Sequence, residues 1–202
     1  EALSILKLTG SDLVVCTEAT LSRCRQISKN VIVLDVAGKI IDKEIFEIGY
    51  PTVDTDVACI QFSSGSTGNS KGILLSKEAF YYRSFYLLNS LELNQGDKTL
   101  CTLPLSHTHG AECLALPTLL AGGTLHLKSP KMAFPLVILQ ELEKLGITFF
   151  SSIPQFYDFS VKLEVAQAPD LSALRHPFCG SAALSTATAE SFYARYGVHI
   201  KQ

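Results

Sequence analysis

Ten consecutive residues, Ser63-Ser64-Gly65-Ser66-Thr67-Gly68-Asn69-Ser70-Lys71-Gly72, are small or polar throughout except for the stem of Lys71, and they follow directly on the apolar run VACIQF at 57 to 62. Glycine lets backbone N–H groups turn toward an anion with no Cβ in the way. Hydroxyls add donors to phosphate oxygens, and one ammonium offsets the charge that gathers there. These are the requirements of a triphosphate cradle. A flexible Ser/Gly linker has a similar composition, but the position between two apolar runs argues against it. A Walker-type loop needs Gly immediately before Lys and Ser or Thr immediately after it; Ser70 and Gly72 stand there instead, so that pattern fails.

Two further segments hold groups able to do chemistry. LPLSHTHGAECLALPTLLAGGTLHL at 103 to 127 contains His107, His109 and Glu112. Residues two apart on a strand share a face, so these three invite a metal reading, but a third strong ligand at sensible spacing is missing and no metal is assigned. LRHPFCGSAALS at 174 to 185 fits a tight strand-to-helix turn ahead of Ser185. His126, His176 and His199 stand alone and receive no role.

The elements that position these segments alternate in type. Short apolar runs at 12 to 16, 31 to 35, 57 to 62, 99 to 103, 124 to 127 and 147 to 152 read as strands buried on both faces, hence parallel. Helical patterns lie between them near 77 to 91, 110 to 121, 134 to 145, 155 to 165 and 186 to 196. This alternation predicts an α/β fold of layered, mostly parallel sheets flanked by helices. The helix after the Ser/Gly segment is expected to start at an N-cap Ser76, with Glu78 in its first turn and Phe80, Ser84, Leu87 and Leu91 on one face; its aromatics read as packing residues. Gly197 is placed to stop the last helix before VHIKQ starts another strand. The polar turn ELNQGDK marks a boundary between two α/β subdomains, residues 1–92 and 93–202.

Bulk properties narrow the partners. The formal charge of -2 and pI near 6.2 give no electrostatic footprint for nucleic acid, and no Lys/Arg run marks a membrane surface. The longest apolar stretch, 113 to 127, is broken by Pro117 and by Gly122-Gly123, too short to span a bilayer. Six cysteines without a CxxC pair read as reduced thiols, which points to the cytoplasm. The chain opens without Met in what reads as mid-helix, and both ends look cut.

FSSGSTGNSKGI resembles the phosphate loop of the adenylate-forming (acyl-CoA synthetase) superfamily, with Ser70 where that family usually has Pro. Pro104, Leu105, His107 and Gly110 resemble its second signature, with Ser106 in the usual aromatic place, and residues 174 to 185 resemble its adenine-side turn, with Ser181 for a Gly and Ala183 for a Pro. The likeness extends over nearly the whole chain as part of the large N-terminal domain. It implies ATP-dependent activation of a carboxylic acid to an acyl-adenylate, followed by thioester formation with coenzyme A or a phosphopantetheine carrier. By resemblance Ser63, Ser64, Gly65, Ser66, Thr67, Gly68 and Lys71 would hold the ATP phosphates, and His107 would face the reacting carboxylate. Gly180, Ser181, Ala182 and Ala183 would neighbour adenine. The family's Thr-Glu pair, which serves phosphate and Mg²⁺, falls after Gln202, as do its ribose-binding Asp and C-terminal catalytic Lys, so these 202 residues alone are expected to be inactive. Ser106-His107 in place of the Phe-Asp pair of peptide-synthetase domains points to an acyl or aryl acid, with an acyl carrier protein as a conceivable partner. A non-catalytic relative that binds nucleotide or acyl ligands is the competing class, supported by Ser70, Ser106 and Ser181.

Overall fold

The computed structural model describes residues 2–11, 13–35, 39–44, 56–63, 71–129 and 134–202. Its contacts divide into two compact units, Glu1–Asp54 and Thr55–Gln202. The first unit runs α1 (Ala2–Thr9), β1 (Leu13–Thr17), α2 (Glu18–Arg25), β2 (Asn30–Leu34) and β3 (Ile40–Glu44). β1 lies parallel to β2, and β3 adds antiparallel on the other side of β2. Buried Cys16, Val31 and Val33 form its core, with Leu21 and Cys24 packed against them.

The second unit opens with β4 (Val57–Ser63) and β5 (Lys71–Ser76), an antiparallel pair of its own. β4 is therefore not the buried parallel strand its apolar run implies; Ile60 and Leu74 keep 37% and 63% of their surface. β5 runs straight into α3 (Lys77–Ser90), where the Ala79 N–H donates to Ser76 Oγ at 3.0 Å, the expected N-cap. Ser84 is the buried residue of α3, whereas Tyr82 and Tyr86 are 57% and 72% exposed. The α3 aromatics thus do not all pack inward: Tyr81, Tyr82, Phe85 and Tyr86 are exposed, off the stripe formed by Ser84, Leu87 and Leu91.

Beyond α3 stands a four-stranded, wholly parallel sheet of β6 (Lys98–Cys101), β7 (Thr124–Leu127), β8 (Phe149–Ser152) and β9 (His176–Cys179), in the order β7-β6-β8-β9. Neighbouring side chains on a strand face opposite ways, and both directions are packed. Leu100, Phe150 and Cys179 join a core with α6 (Pro135–Leu145), α7 (Pro154–Lys162) and α8 (Thr186–Tyr196). Cys101 and Phe149 join another with Leu91, Leu93 and Leu114. Burial on both faces is why β6 and β8 read as unbroken apolar runs. In the larger core, rings of Phe156, Tyr157 and Phe192 follow one another at centroid spacings of 5.2 Å, nearly edge to face. Each such fully buried side chain contributes roughly 1.5–3 kcal/mol of transfer free energy.

The connection from β6 to β7 is helical: α4 (Thr108–Gly110), a π-turn (Ala111–Ala115) and α5 (Leu116–Leu120). Pro117 has no N–H to donate, and just before it the Leu116 N–H reaches five residues back to Ala111 O. Lys201 bridges Phe178 in parallel, consistent with a strand starting there beside β9.

The turn at 92 to 98 is tied into the parallel sheet. Asp97, 3% exposed, accepts from the Asn94 N–H at 2.8 Å, from Thr148 Oγ1 at 2.6 Å and from an Arg175 nitrogen at 3.0 Å. That carboxylate ties together the starts of β6, β8 and β9, so residues on both sides of position 92 belong to one unit and the division falls after Asp54. No helix among the described residues is long and apolar enough to cross a membrane.

Candidate functional site

The sheet order places a site. From β6 the chain moves outward to β7, then crosses back over β6 to β8 and on to β9. The direction of winding reverses between β6 and β8, and in open parallel sheets ligands lie outside the carboxyl ends of the strands at such a reversal. The loops after β6 and β9 and the end of β8 bring His107, His109, Ser151, Gly180 and Ser181 together there, around a cavity of about 330 Å³. Leu87 and Leu91 of the α3 segment, Cys113, Phe149 and Phe178 supply apolar wall.

Backbone packing fixes the two histidines. The His107 N–H donates to Pro104 O at 3.1 Å, closing the turn that opens α4. A Cβ on Gly110 would lie 2.5 Å from that same carbonyl oxygen, so a residue without a side chain is required three places after His107. His107 caps α4, its Nδ1 accepting from the His109 N–H at 3.2 Å. A neutral ring that accepts at Nδ1 carries its proton on Nε2, which leaves exposed His107 with one N–H to offer a ligand oxygen.

His109 is more enclosed. Its Nε2 lies 2.7 Å from Ser151 Oγ and its Nδ1 lies 3.2 Å from Ser181 Oγ. Burial, with help from His107, pushes its pKa below the usual imidazole value. The ring also abuts Gly180, where an added Cβ would come within 2.7 Å of Cε1. A second cavity, about 200 Å³, lies beyond and is lined by Leu103, Pro104, Ile153 and Ser181 together with both histidines.

The expected phosphate grip is described at its two ends. Ser63 and Lys71 face each other in the β4–β5 register, so the hairpin holds the two ends of the Ser/Gly segment side by side. Lys71 is exposed. Ser64, Gly65, Ser66, Thr67 and Gly68 lie outside the described residues. Below the hairpin base, the carboxylate of Glu112 on the π-turn, 3% exposed, accepts from Gln61 of β4 and Arg83 of α3. Glu112 is thereby occupied with a guanidinium and an amide, and among the described residues no cluster of three potential metal ligands exists.

The turn expected on the adenine side is divided in what it lines. Gly180 and Ser181 line the larger cavity, whereas Ala182 and Ala183 are exposed and Ala182 O accepts from Gln202 Nε2 at 3.0 Å. Ser151 and the enclosed position of His109 are not legible as site features from residue spacing. The available signal was two serines ending the otherwise apolar run ITFFSS, polar side chains at the carboxyl end of a buried strand.

The family model for AMP-binding enzymes matches residues 1–202. A feruloyl-CoA synthase of Amycolatopsis sp is 31% identical over 141 residues, 69% of this chain and 28% of that protein. An indoleacetate–CoA ligase of Aromatoleum aromaticum is 34% identical over 122 residues, 60% of this chain and 24% of that protein. The crystal structures of apo and ATP-bound MatB from Rhodopseudomonas palustris superpose with TM-scores of 0.80 and 0.79, at 26% and 25% identity. Both cover 99% of this chain and 41% of the MatB chain. The chain thus spans well under half the length of these relatives.

Proposed function

Because the chain belongs to the AMP-binding enzyme family, we propose that the protein activates a compact apolar carboxylic acid with ATP and passes the acyl group to coenzyme A. In this reading a carboxylate oxygen attacks the α-phosphate, the bond to the β-phosphate bridging oxygen breaks, and pyrophosphate leaves as the acyl-adenylate forms. The protein's part is positioning and charge stabilisation. Lys71 and the donors of residues 63 to 68 hold the departing phosphates, and the His107 Nε2–H orients the carboxylate. Gly180 and Ser181 lie at the junction of acid and nucleotide, with Ala182 and Ala183 on the adenine side. No residue of this chain is assigned to Mg²⁺, since neither cavity has an acidic side chain in its described lining.

The observation that carries the reading is the cavity of about 330 Å³ at the reversal of the parallel sheet, apolar in its walls and polar at the mouth where His107 and His109 stand. Its size suits one ring with a short carboxyl arm, at the low end of small-molecule pockets. That supports an aryl acid of the kind named for the feruloyl and indoleacetate relatives. Coenzyme A as acceptor follows the same names, with a carrier-borne phosphopantetheine as the variant form. Six free cysteines support a reducing, cytoplasmic setting.

The test is ATP–pyrophosphate exchange by the protein carrying this chain, across aryl and alkyl acids. Exchange is expected with aryl acids, and Lys71→Ala is expected to lower it by about 10²–10³, the loss typical of one donor to developing charge. Retained nucleotide binding with no exchange for any acid would give the non-catalytic reading instead.

A further inference from the structure

One serine at the mouth of the cavity stands in a conformation that serine avoids. Ser181 has φ of 70°, in the left-handed region, where a Cβ crowds the following carbonyl oxygen and glycine is preferred. The residues before it are firmly held. The Gly180 N–H donates to Ser152 O at 3.0 Å, the Cys179 N–H donates to Lys201 O at 2.8 Å, and Tyr157 Oη donates to Phe178 O at 2.5 Å. The turn is therefore fixed against β8, α7 and the last residues of the chain, and its strained member aims Oγ at Nδ1 of His109, 3.2 Å away.

The opposite nitrogen of that ring meets Ser151 Oγ at 2.7 Å, and Ser151 is 4% exposed at the end of β8. A hydroxyl on each side can satisfy a neutral imidazole, one accepting from the ring N–H and the other donating to the bare nitrogen. Burial favours the same neutral form. The ring has no freedom on its third side, because Gly180 leaves room for it only by lacking a Cβ. His109 also lines both the cavity of about 330 Å³ and the one of about 200 Å³. An acid whose apolar body fills the first and whose carboxyl end reaches the second must pass the edge of this ring.

We propose that Ser181 is a positioning residue for acid specificity: it accepts left-handed backbone strain in order to clamp His109, with Ser151, as a fixed neutral wall between the two cavities. The clamp rests on the acid-activating reading of the site. It gives His109 a task different from that of His107, whose Nδ1 is spent on capping and whose Nε2–H is left for a ligand oxygen. His109 sets the shape past which the acid slides and moves no proton.

Two variants separate the hydroxyl from the backbone. Ser181→Gly removes Oγ and relieves the strain, whereas Ser181→Ala removes Oγ and keeps it. Both are expected to raise the KM for the acid roughly three- to tenfold, the worth of one hydrogen bond, a larger factor than any change in kcat or in the KM for ATP. Ser181→Gly is expected to melt above Ser181→Ala, and in both the nitrogen NMR shifts of His109 are expected to move while those of His126 stay in place. An unchanged acid KM in both variants, or unmoved His109 shifts, would overturn the clamp. If the wild type exchanges pyrophosphate with no acid, the acid-activating reading fails, and the His109 shifts and the order of melting temperatures still decide the clamp.

Discussion

The two ends of the parallel sheet carry comparable numbers of polar side chains and use them in opposite ways. At the amino ends of the strands, Asp97, Thr148 and Arg175 are spent on one another, and Asp97 is 3% exposed. At the carboxyl ends, His107, His109, Ser151 and Ser181 surround empty space, two of them exposed. Polar groups at strand ends are therefore not by themselves a sign of function. What differs is whether the group is packed with no cavity beside it or lines a cavity with a donor left over, as the His107 Nε2–H is. The first arrangement supports stability, the second supports binding, and each makes a distinct prediction.

The largest effect is expected at the closed end. Asp97→Ala removes an acceptor used by the Asn94 N–H, Thr148 and Arg175 together. Arg175, 46% exposed, can turn to water, but Thr148 and the Asn94 N–H lose a partner in a half-buried setting. Denaturant unfolding should show a loss of about 2–4 kcal/mol, with the acid KM of the folded protein unchanged. A substantial change in that KM would break the division between the two ends.

Gly180→Ala sharpens the comparison from the open end and should be milder for the fold. The new methyl would meet the His109 ring at 2.7 Å, and a side-chain ring can move where a backbone cannot. Displacing it costs the hydrogen bonds to Ser151 and Ser181 but not the core, so unfolding should shift by about 1 kcal/mol or less while the acid KM rises roughly tenfold. A variant that loses stability and keeps its KM would place Gly180 with the closed end.

Sequence patterns conveyed the layered fold because β6 and β8 are buried on both faces; the run at 124 to 127 also contains a parallel strand, although its ends are exposed. They misled for Val57–Ser63, whose apolar run belongs to a half-exposed hairpin, since hydrophobicity does not report strand direction. ELNQGDK reads as a turn because Asn, Gly and Asp favour turns, and nothing local reveals that Asp97 is held by residues about fifty and eighty positions later. The site divided the same way. His107 and Gly110 were legible from a motif, and the backbone contact of Gly110 with Pro104 supplies the physical reason for their spacing. The clamp on His109 draws on three separate loops and strand ends, an arrangement visible only after folding.

The smallest expected effect is a pH dependence that separates the ends once more. Burial of Asp97 works against its charge, but the Thr148 hydroxyl, the Asn94 N–H and the Arg175 guanidinium outweigh it and hold the carboxyl below the usual carboxylate value. A folded pKa below the unfolded one, about 3.9 for Asp, means the stabilisation is fully present above that value and drains away as pH falls through the folded pKa. Stability measured from pH 6 down to pH 2 should therefore fall below about pH 4 in the wild type. Asp97→Asn should start lower at pH 6 and lose less over the same range, so that the two curves converge in acid. Curves that stay parallel to pH 2 would mean that the charge of Asp97 is not what ties the amino ends of β6, β8 and β9, and that the closed end is held by neutral hydrogen bonds alone.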